Sequence, residues 1–210
     1  MTERTRDPEA TKQAILAAAE TLFLENGFGN TPLSAIAKKA GVTKSLIHHH
    51  FASKENLWSE VKHQALKDYA AKQMEIISRG EVTLDTLRES VVAYFRTFQT
   101  NPKMVRLMAW MTIDEFKDEC ADCIHEPLME TGVELIAAAQ QKGIIRKDIP
   151  PIHIVMSFLA MVSGWFQDRY IFRKWLVDGN SEADMAVADD MFLTTTIKLI
   201  VTGVAGDQKS

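Results

Sequence analysis

Cysteine is nearly absent from this sequence, which has 210 residues and contains only Cys120 and Cys123. Two cysteines cannot form a disulfide framework, so their scarcity argues against a disulfide-stabilised secreted domain and is typical of a reducing compartment. The first residues are polar, and no apolar run reaches the roughly 20 residues that span a bilayer; the longest, residues 152–166, is interrupted by His153. We therefore expect a soluble, cytoplasmic protein with no secretory signal and no membrane partner.

Strand patterns are also missing, whereas helical periodicity is present throughout. The spacing of Ile15, Ala19 and Phe23 places them on one buried stripe of a helix. Asp7, Thr83 and Ser181 stand where N-caps are expected, and proline is expected to start helices at 102, 127 and 151. The pattern predicts an all-α protein of about nine helices, with a domain at residues 1–52 and a second domain at residues 53–210.

The strongest local motif is residues 31–54, which predict two short helices joined at a glycine. Gly41 provides the turn, because glycine adopts a positive φ without a Cβ clash. Ala37 is small enough for two helices to cross closely, and apolar side chains such as Ile47 and Phe51 can hold them together. The pattern predicts a helix-turn-helix, in which the N-terminal residues of the second helix reach base edges in the major groove. A plain pair of surface helices is the alternative.

Local charge favours the DNA-binding interpretation. The net charge of the chain is -4, but Lys38, Lys39, Lys44 and Lys54 follow one another with no acidic residue between them. A local basic face can steer a protein to phosphate even when its total charge is negative. We expect DNA contacts from nine side chains in this segment: Thr31, Ser34, Thr43, Lys44, Ser45, His48, His49, His50 and Lys54.

About residues 10–60 resemble the N-terminal domain of the tetracycline-repressor (TetR) family. The resemblance is carried by Ile15, Ala18, Phe23, Gly27, Phe28, Thr31, Ile36, Ala37, Ala40, Gly41, Val42, Thr43, Lys44, Phe51, Ser53, Lys54, Glu55 and Leu57. It implies a three-helix DNA-binding head, a helical effector-binding body and a homodimer formed through about residues 152–176 and 182–204. It also implies a palindromic double-stranded operator that is released when a small molecule binds. Activation instead of repression remains open.

One departure from the family pattern bears on DNA contact. The family usually has a tyrosine where this chain has His48, and that tyrosine commonly touches a phosphate. A histidine carries charge only when it is protonated. The resemblance therefore implies a phosphate contact that is weaker or depends on pH.

The C-terminal part is rich in methionine, phenylalanine and tryptophan, which can line an apolar pocket or simply form the core. The candidate effector residues are Phe98, Met108, Trp110, Met111, Phe116, Met161, Trp165 and Asp168. They favour an apolar or aromatic effector, with core packing as the competing explanation.

Other chemistry has little support in the sequence. Cys120, Cys123 and His125 are too few for a zinc site, although redox or metal sensing by the cysteines stays open. Glu60 and His63 have the Glu-x-x-His spacing of one half of a helical metal centre, but the sequence contains no second pair with this spacing. Nucleophile elbows, Walker loops and dinucleotide fingerprints are absent. We expect no enzyme activity, no metal site and no cofactor; a helical scaffold without DNA binding is the other alternative.

Overall fold

The structure is a computed structural model that describes residues 7–79, 82–113, 122–178 and 181–206, with the side chains of 112–113 and 122–126 left aside. These residues form ten helices, and the only β-pairing among them is an isolated bridge between Ile145 and Ala205. The helices are α1 (Pro8–Asn26), α2 (Leu33–Ala40), α3 (Lys44–Phe51), α4 (Lys54–Ile77), α5 (Leu84–Thr100), α6 (Pro102–Ile113), α7 (Asp122–Gln141), α8 (Pro151–Asp168), α9 (Arg173–Leu176) and α10 (Glu182–Val204). The all-α prediction is confirmed. Within the described ranges, no helix is both long and apolar enough to cross a membrane.

Several helix boundaries follow the capping residues of the sequence. The Asp7 carboxylate accepts from Glu9 N, and Gly27 ends α1 with a φ of 79°. Thr83 forms a capping box at the start of α5, and Ser181 forms another at the start of α10. Capping side chains satisfy backbone N–H groups that have no partner inside the helix.

Two boundaries differ from the prediction. Pro127 lies inside α7, whose bounds are Asp122–Gln141, and not at its first position; proline has no N–H to donate to the carbonyl four residues earlier, so that one helical hydrogen bond is missing. The helix expected over about residues 152–176 ends at Asp168 and resumes as the four-residue α9. Residues 169–172 form turns closed by hydrogen bonds from Ile171 N and Phe172 N to Asp168 O, and neither proline nor glycine marks this break in the sequence.

The chain forms two compact units: residues 1–67 with 106–124, and residues 68–105 with 125–210. In the first unit, α1, α2 and α3 enclose an apolar core, and the rings of Phe23, Phe28 and Trp58 pack together. In the second unit, α5, α8 and α10 pack against one another. The predicted boundary near residue 52, between a DNA-binding domain and an effector-binding domain, stays a prediction.

Candidate nucleic-acid interface

The turn between α2 and α3 is built around Gly41. Its φ of 65° and ψ of 38° lie in the left-handed region, where a residue with a Cβ is strained. Gly41 N and Val42 N both donate to Ala37 O, so the turn closes back onto the last turn of α2. Ile36, on α2, is fully buried, and Ala37 is 5% exposed. The predicted helix-turn-helix is therefore present, with α3 as its second helix.

One face of α3 packs into the first unit and the other face is open. Ile47 and Phe51 are buried, while the opposite face exposes Lys44, Ser45, His48 and His49. Thr43, just before the helix, is exposed as well. This open face carries hydroxyls, imidazoles and one lysine and no carboxylate, so it can offer donors and acceptors to base edges and a positive charge to phosphate.

The first turn of α3 is fixed by its cap. The Thr43 hydroxyl oxygen accepts from Leu46 N at 3.3 Å and lies 3.2 Å from the Ser45 hydroxyl. Capping therefore gives Thr43 a structural role beside any contact with DNA. Ser34, in the first turn of α2, is exposed.

Two of the predicted phosphate contacts have other partners in the structure. Thr31 is 1% exposed, and its hydroxyl lies 2.7 Å from Gly27 O and 3.1 Å from Leu22 O, with one proton to donate. Lys54 Nζ donates to Phe28 O at 2.5 Å and lies 4.3 Å from the centre of the Phe28 ring. Both side chains hold the end of α1 in place, and their contact with phosphate stays a prediction.

The three histidines of α3 differ in their surroundings. His48 Nδ1 lies 3.0 Å from Ala52 O, just beyond the helix end. His49 is exposed and meets His50 edge to face, with ring centres 5.5 Å apart. His50 is half-buried and its ring also lies 6.1 Å from that of Phe51. His48 and His49 are therefore the two histidines that face outward.

The aromatic candidate effector residues of the second unit contact other residues of the protein. Phe98 is 2% exposed and packs against Tyr94 and Phe166. Trp165 stacks on Phe192 at 4.2 Å and donates from Nε1 to Asp189 at 2.8 Å. Met161 is half-buried and Asp168 is exposed. The aromatic members of this set pack in the core of the unit and on α10.

The candidates of the first unit lie on α6. The Trp110 ring covers Gly27, where an added Cβ would lie 2.7 Å from it, and Trp110 Nε1 donates to Leu24 O at 3.4 Å. Met108 and Met111 are half-buried. Phe116 lies outside the described residues, as do Cys120 and the side chains of Cys123 and His125, so the cysteine hypothesis stays open.

Polar groups inside the second unit were not predicted from the sequence. Gln73 is 4% exposed and donates to Ser90 O at 2.9 Å. Burial raises the pKa of Tyr94 to about 12, against the effect of a hydrogen bond with Ser163. Burial and the charge of Tyr94 together raise the pKa of Tyr69, whose ring centre lies 5.1 Å from that of Tyr94. In the sequence, polar residues that recur within the apolar stripes of α4 and α5 are the pattern that would have predicted these buried polar groups.

A buried ion pair joins α8 and α10. Asp189 is 3% exposed and accepts from the guanidinium of Arg169 as well as from Trp165. The guanidinium also lies over the Phe166 ring, 4.6 Å from its centre. A carboxylate this deep needs such partners, since an unpaired buried charge is costly.

A metal site was not expected, and among the described residues no group of three or more His, Cys, Asp or Glu is placed to hold one.

A helix-turn-helix whose second helix exposes an acid-free polar face, attached to an all-helical body, defines a class of DNA-binding transcriptional regulators. Residues 15–61 match the family described as bacterial regulatory proteins, tetR family, and residues 86–187 match the tetracyclin repressor-like C-terminal domain. The chain belongs to the TetR family.

Relatives extend over most of the chain. The HTH-type transcriptional regulator UidR of Escherichia coli is 30% identical over 144 residues, which are 68% of this chain and 73% of that protein. The HTH-type transcriptional repressor KstR2 of Rhodococcus jostii is 27% identical over 208 residues, covering 96% of this chain and 94% of that protein. The crystal structure of native NalD, the secondary repressor of the MexAB-OprM multidrug efflux pump in Pseudomonas aeruginosa, aligns with a TM-score of 0.69 at 23% identity, covering 97% of this chain and all of that one. The chain is accordingly a DNA-binding transcriptional regulator of this family, and these relatives are named as transcriptional regulators and repressors.

Proposed function

We propose that the chain is a dimeric, cytoplasmic repressor that binds a palindromic operator through residues 31–54 and leaves it when a small molecule binds in the C-terminal domain. The observation that carries this proposal is the open face of α3, where Lys44, Ser45, His48 and His49 are exposed together opposite the buried Ile47. Repression is chosen over activation because KstR2 and NalD are named repressors.

The DNA contact divides into two kinds. Lys44 supplies a charge to phosphate, and Ser45 and His49 supply hydrogen-bonding groups to base edges, at the helix end that enters the major groove. Ser34 and Thr43 flank this face. Phosphate contacts fix register and give steep salt dependence, whereas base contacts set the sequence.

Dimer formation is supported by apolar side chains left open on two helices. On α10, Val187 and Met191 are 60% and 66% exposed and lie four residues apart, so they share one face, and Leu199, 58% exposed, lies further along the same helix. On α8, Ile152 and Met156 are also exposed at a spacing of four. Exposed apolar stripes of this kind mark protein interfaces, and a second copy of the chain would present the same stripes.

An apolar or aromatic effector is supported by the interior of the second unit. The rings of Tyr69, Tyr94, Phe98 and Phe158 lie within 5.0–6.0 Å of a neighbour in one cluster. The hydroxyl of Tyr94 and the amide of the buried Gln73 would supply the few polar groups that orient such a ligand. Thermal shift against a metabolite panel tests this: apolar and aromatic compounds should stabilise the protein, whereas stabilisation by strongly polar compounds alone would contradict it.

Selection from random duplexes tests the DNA-binding proposal. The purified protein is incubated with a pool of random-sequence DNA, and the bound fraction is amplified and sequenced. We expect a palindrome with half-sites centred about one helical turn apart. A folded, dimeric protein that enriches no sequence at low salt would overturn the proposal and favour a helical scaffold without DNA binding.

A further inference from the structure

The His48 ring is tied to the end of its own helix. Its Nδ1 lies 3.0 Å from Ala52 O. A carbonyl oxygen has no proton to give, so this hydrogen bond exists only when Nδ1 carries the proton and donates it. In a neutral imidazole the second nitrogen, Nε2, then has a lone pair and no proton.

The Ala52 carbonyl is held in place by a strained turn. Ala52 has a φ of 61° and a ψ of -47°, and among the described residues it is the only one other than glycine with a positive φ. Ser53 N donates to Phe51 O at 2.7 Å across Ala52, which closes a three-residue turn. Ala52 N in addition donates to His48 O at 2.9 Å. Two hydrogen bonds therefore join His48 and Ala52, one through the imidazole ring and one through the backbone. A residue with a strained backbone, such as Ala52, is typical of a functional site.

We infer that His48 makes its DNA contact as a cation, so that the contact forms only when the imidazole is protonated. This inference rests on the proposed function. The neutral ring has no proton left for a phosphate oxygen, and the Nε2 lone pair repels it. Protonation adds a proton to Nε2 and leaves the bond to Ala52 in place, and the ring then donates to phosphate with a positive charge. Binding takes up a proton at this site, so affinity rises as the pH falls.

The charged groups around His48 leave the His48 ring itself as the source of a pH-dependent affinity for DNA. On α3 the titratable and charged neighbours are Lys44, His49 and His50, and on α2, which packs against α3, they are Lys38 and Lys39. At the start of α4, Lys54 is bonded to Phe28 O, and the exposed Glu55 is the acidic residue. No carboxylate bonds to the His48 ring in the described part of the chain, so the phosphate of bound DNA is the anion available to it.

The first test is the tautomer in the free protein. Long-range 15N–1H correlation spectra of labelled protein, with His48 assigned by its loss in the His48→Gln variant, separate a protonated from an unprotonated ring nitrogen. Near neutral pH we expect a protonated Nδ1 and an unprotonated Nε2. The opposite tautomer would overturn the inference whatever the protein does with DNA.

The second test is the affinity for the selected duplex between about pH 8 and about pH 5.5, the range in which histidine changes charge. The affinity of the wild type should rise by at least about tenfold relative to His48→Gln, whose amide can donate at every pH. At the lower pH, the slope of log affinity against log salt concentration should be steeper for the wild type than for His48→Gln by about 0.9 per half-site. His63→Gln, at an exposed histidine of α4 outside the open face of α3, is the matched control and should keep the wild-type response to pH.

The outcomes separate the two proposals. If the wild type binds the selected duplex with the same response to pH as His48→Gln, the inference is wrong and the proposed function stands. If His49→Gln loses the response and His48→Gln keeps it, the charge belongs to the neighbouring histidine and the inference is again wrong. If no duplex is bound at either pH, the proposed function fails and the inference fails with it.

Discussion

The structure constrains the replacement of Gly27 in two ways, through its backbone conformation and through a neighbouring ring. Its φ of 79° disfavours any side chain, and an added Cβ would lie 2.7 Å from the ring of Trp110. We expect Gly27→Ala to lower the free energy of unfolding by about 2–4 kcal/mol, through backbone strain and overpacking. Gly29 is the control, since a Cβ there meets nothing within 4 Å, and Gly29→Ala should stay within about 0.5 kcal/mol of wild type.

A double variant divides this cost between its two causes. In Gly27→Ala with Trp110→Ala, the ring no longer meets the new Cβ while the positive φ remains. Urea unfolding should therefore show the double variant less destabilised than the sum of the two single variants. Simple additivity would mean that the ring does not press on this position.

Lys44 and Lys54 should separate DNA contact from fold stability. Lys44 is exposed, whereas Lys54 bonds to Phe28 O and lies over the Phe28 ring. Lys44→Ala should leave the melting temperature unchanged and lower the salt slope by about 0.9 per half-site. Lys54→Ala should lower stability by about 1–2 kcal/mol, because it removes a charged hydrogen bond and a cation–π contact. Unchanged stability in Lys54→Ala would contradict the role that the structure gives this lysine.

At the scale of the element, two neighbouring aspartates of α10 should behave very differently. Asp189 is buried against Arg169, while Asp190 pairs with Arg96 at the surface, where its side chain is 62% exposed. Asp189→Asn leaves the buried guanidinium without its counter-charge and should cost about 3 kcal/mol. Asp190→Asn should cost less than about 1 kcal/mol. Equal losses in thermal unfolding of the two variants would show that the buried pair does not hold α8 and α10 together.

Element boundaries could be predicted where a side chain makes the cap. Asp7, Gly27, Gly41 and Thr43 act locally, and their roles follow from residue type and spacing alone. The end of α8 could not be predicted in this way, because no proline, glycine or side-chain cap marks it; the guanidinium of Arg169, the residue that follows, is held by a residue 20 positions further along the chain.

The candidate site shows the same division between local and distant causes. The open face of α3 follows from helical periodicity, so Lys44, Ser45, His48 and His49 could be placed from the sequence. Periodicity could not show that Thr31 and Lys54 turn inward to carbonyls of the first unit, because those carbonyls belong to α1 and to the turn after it. Nor could it show the turn at Ala52, which no glycine marks.

At the scale of the whole molecule, the exposed apolar faces of α8 and α10 predict a dimer that can be broken by charge. Val187→Glu with Met191→Glu places two carboxylates in the proposed interface, so the molar mass from light scattering should fall to that of one chain. Binding to the palindrome should weaken as well, since one head reaches one half-site. Met74 is the control: it is an apolar residue of α4, 42% exposed and outside these faces, and Met74→Glu should remain dimeric.

The measurement that tests the central claim most directly is the affinity of the wild type for its selected duplex across a series of salt concentrations. A duplex of the same composition with scrambled half-sites is measured beside it. We expect the selected duplex to bind at least about a thousandfold more tightly near physiological salt, and both affinities to fall steeply as salt rises. Equal affinities for the two duplexes, or an affinity for the selected duplex that does not change with salt, would contradict a helix-turn-helix that binds DNA through the open face of α3.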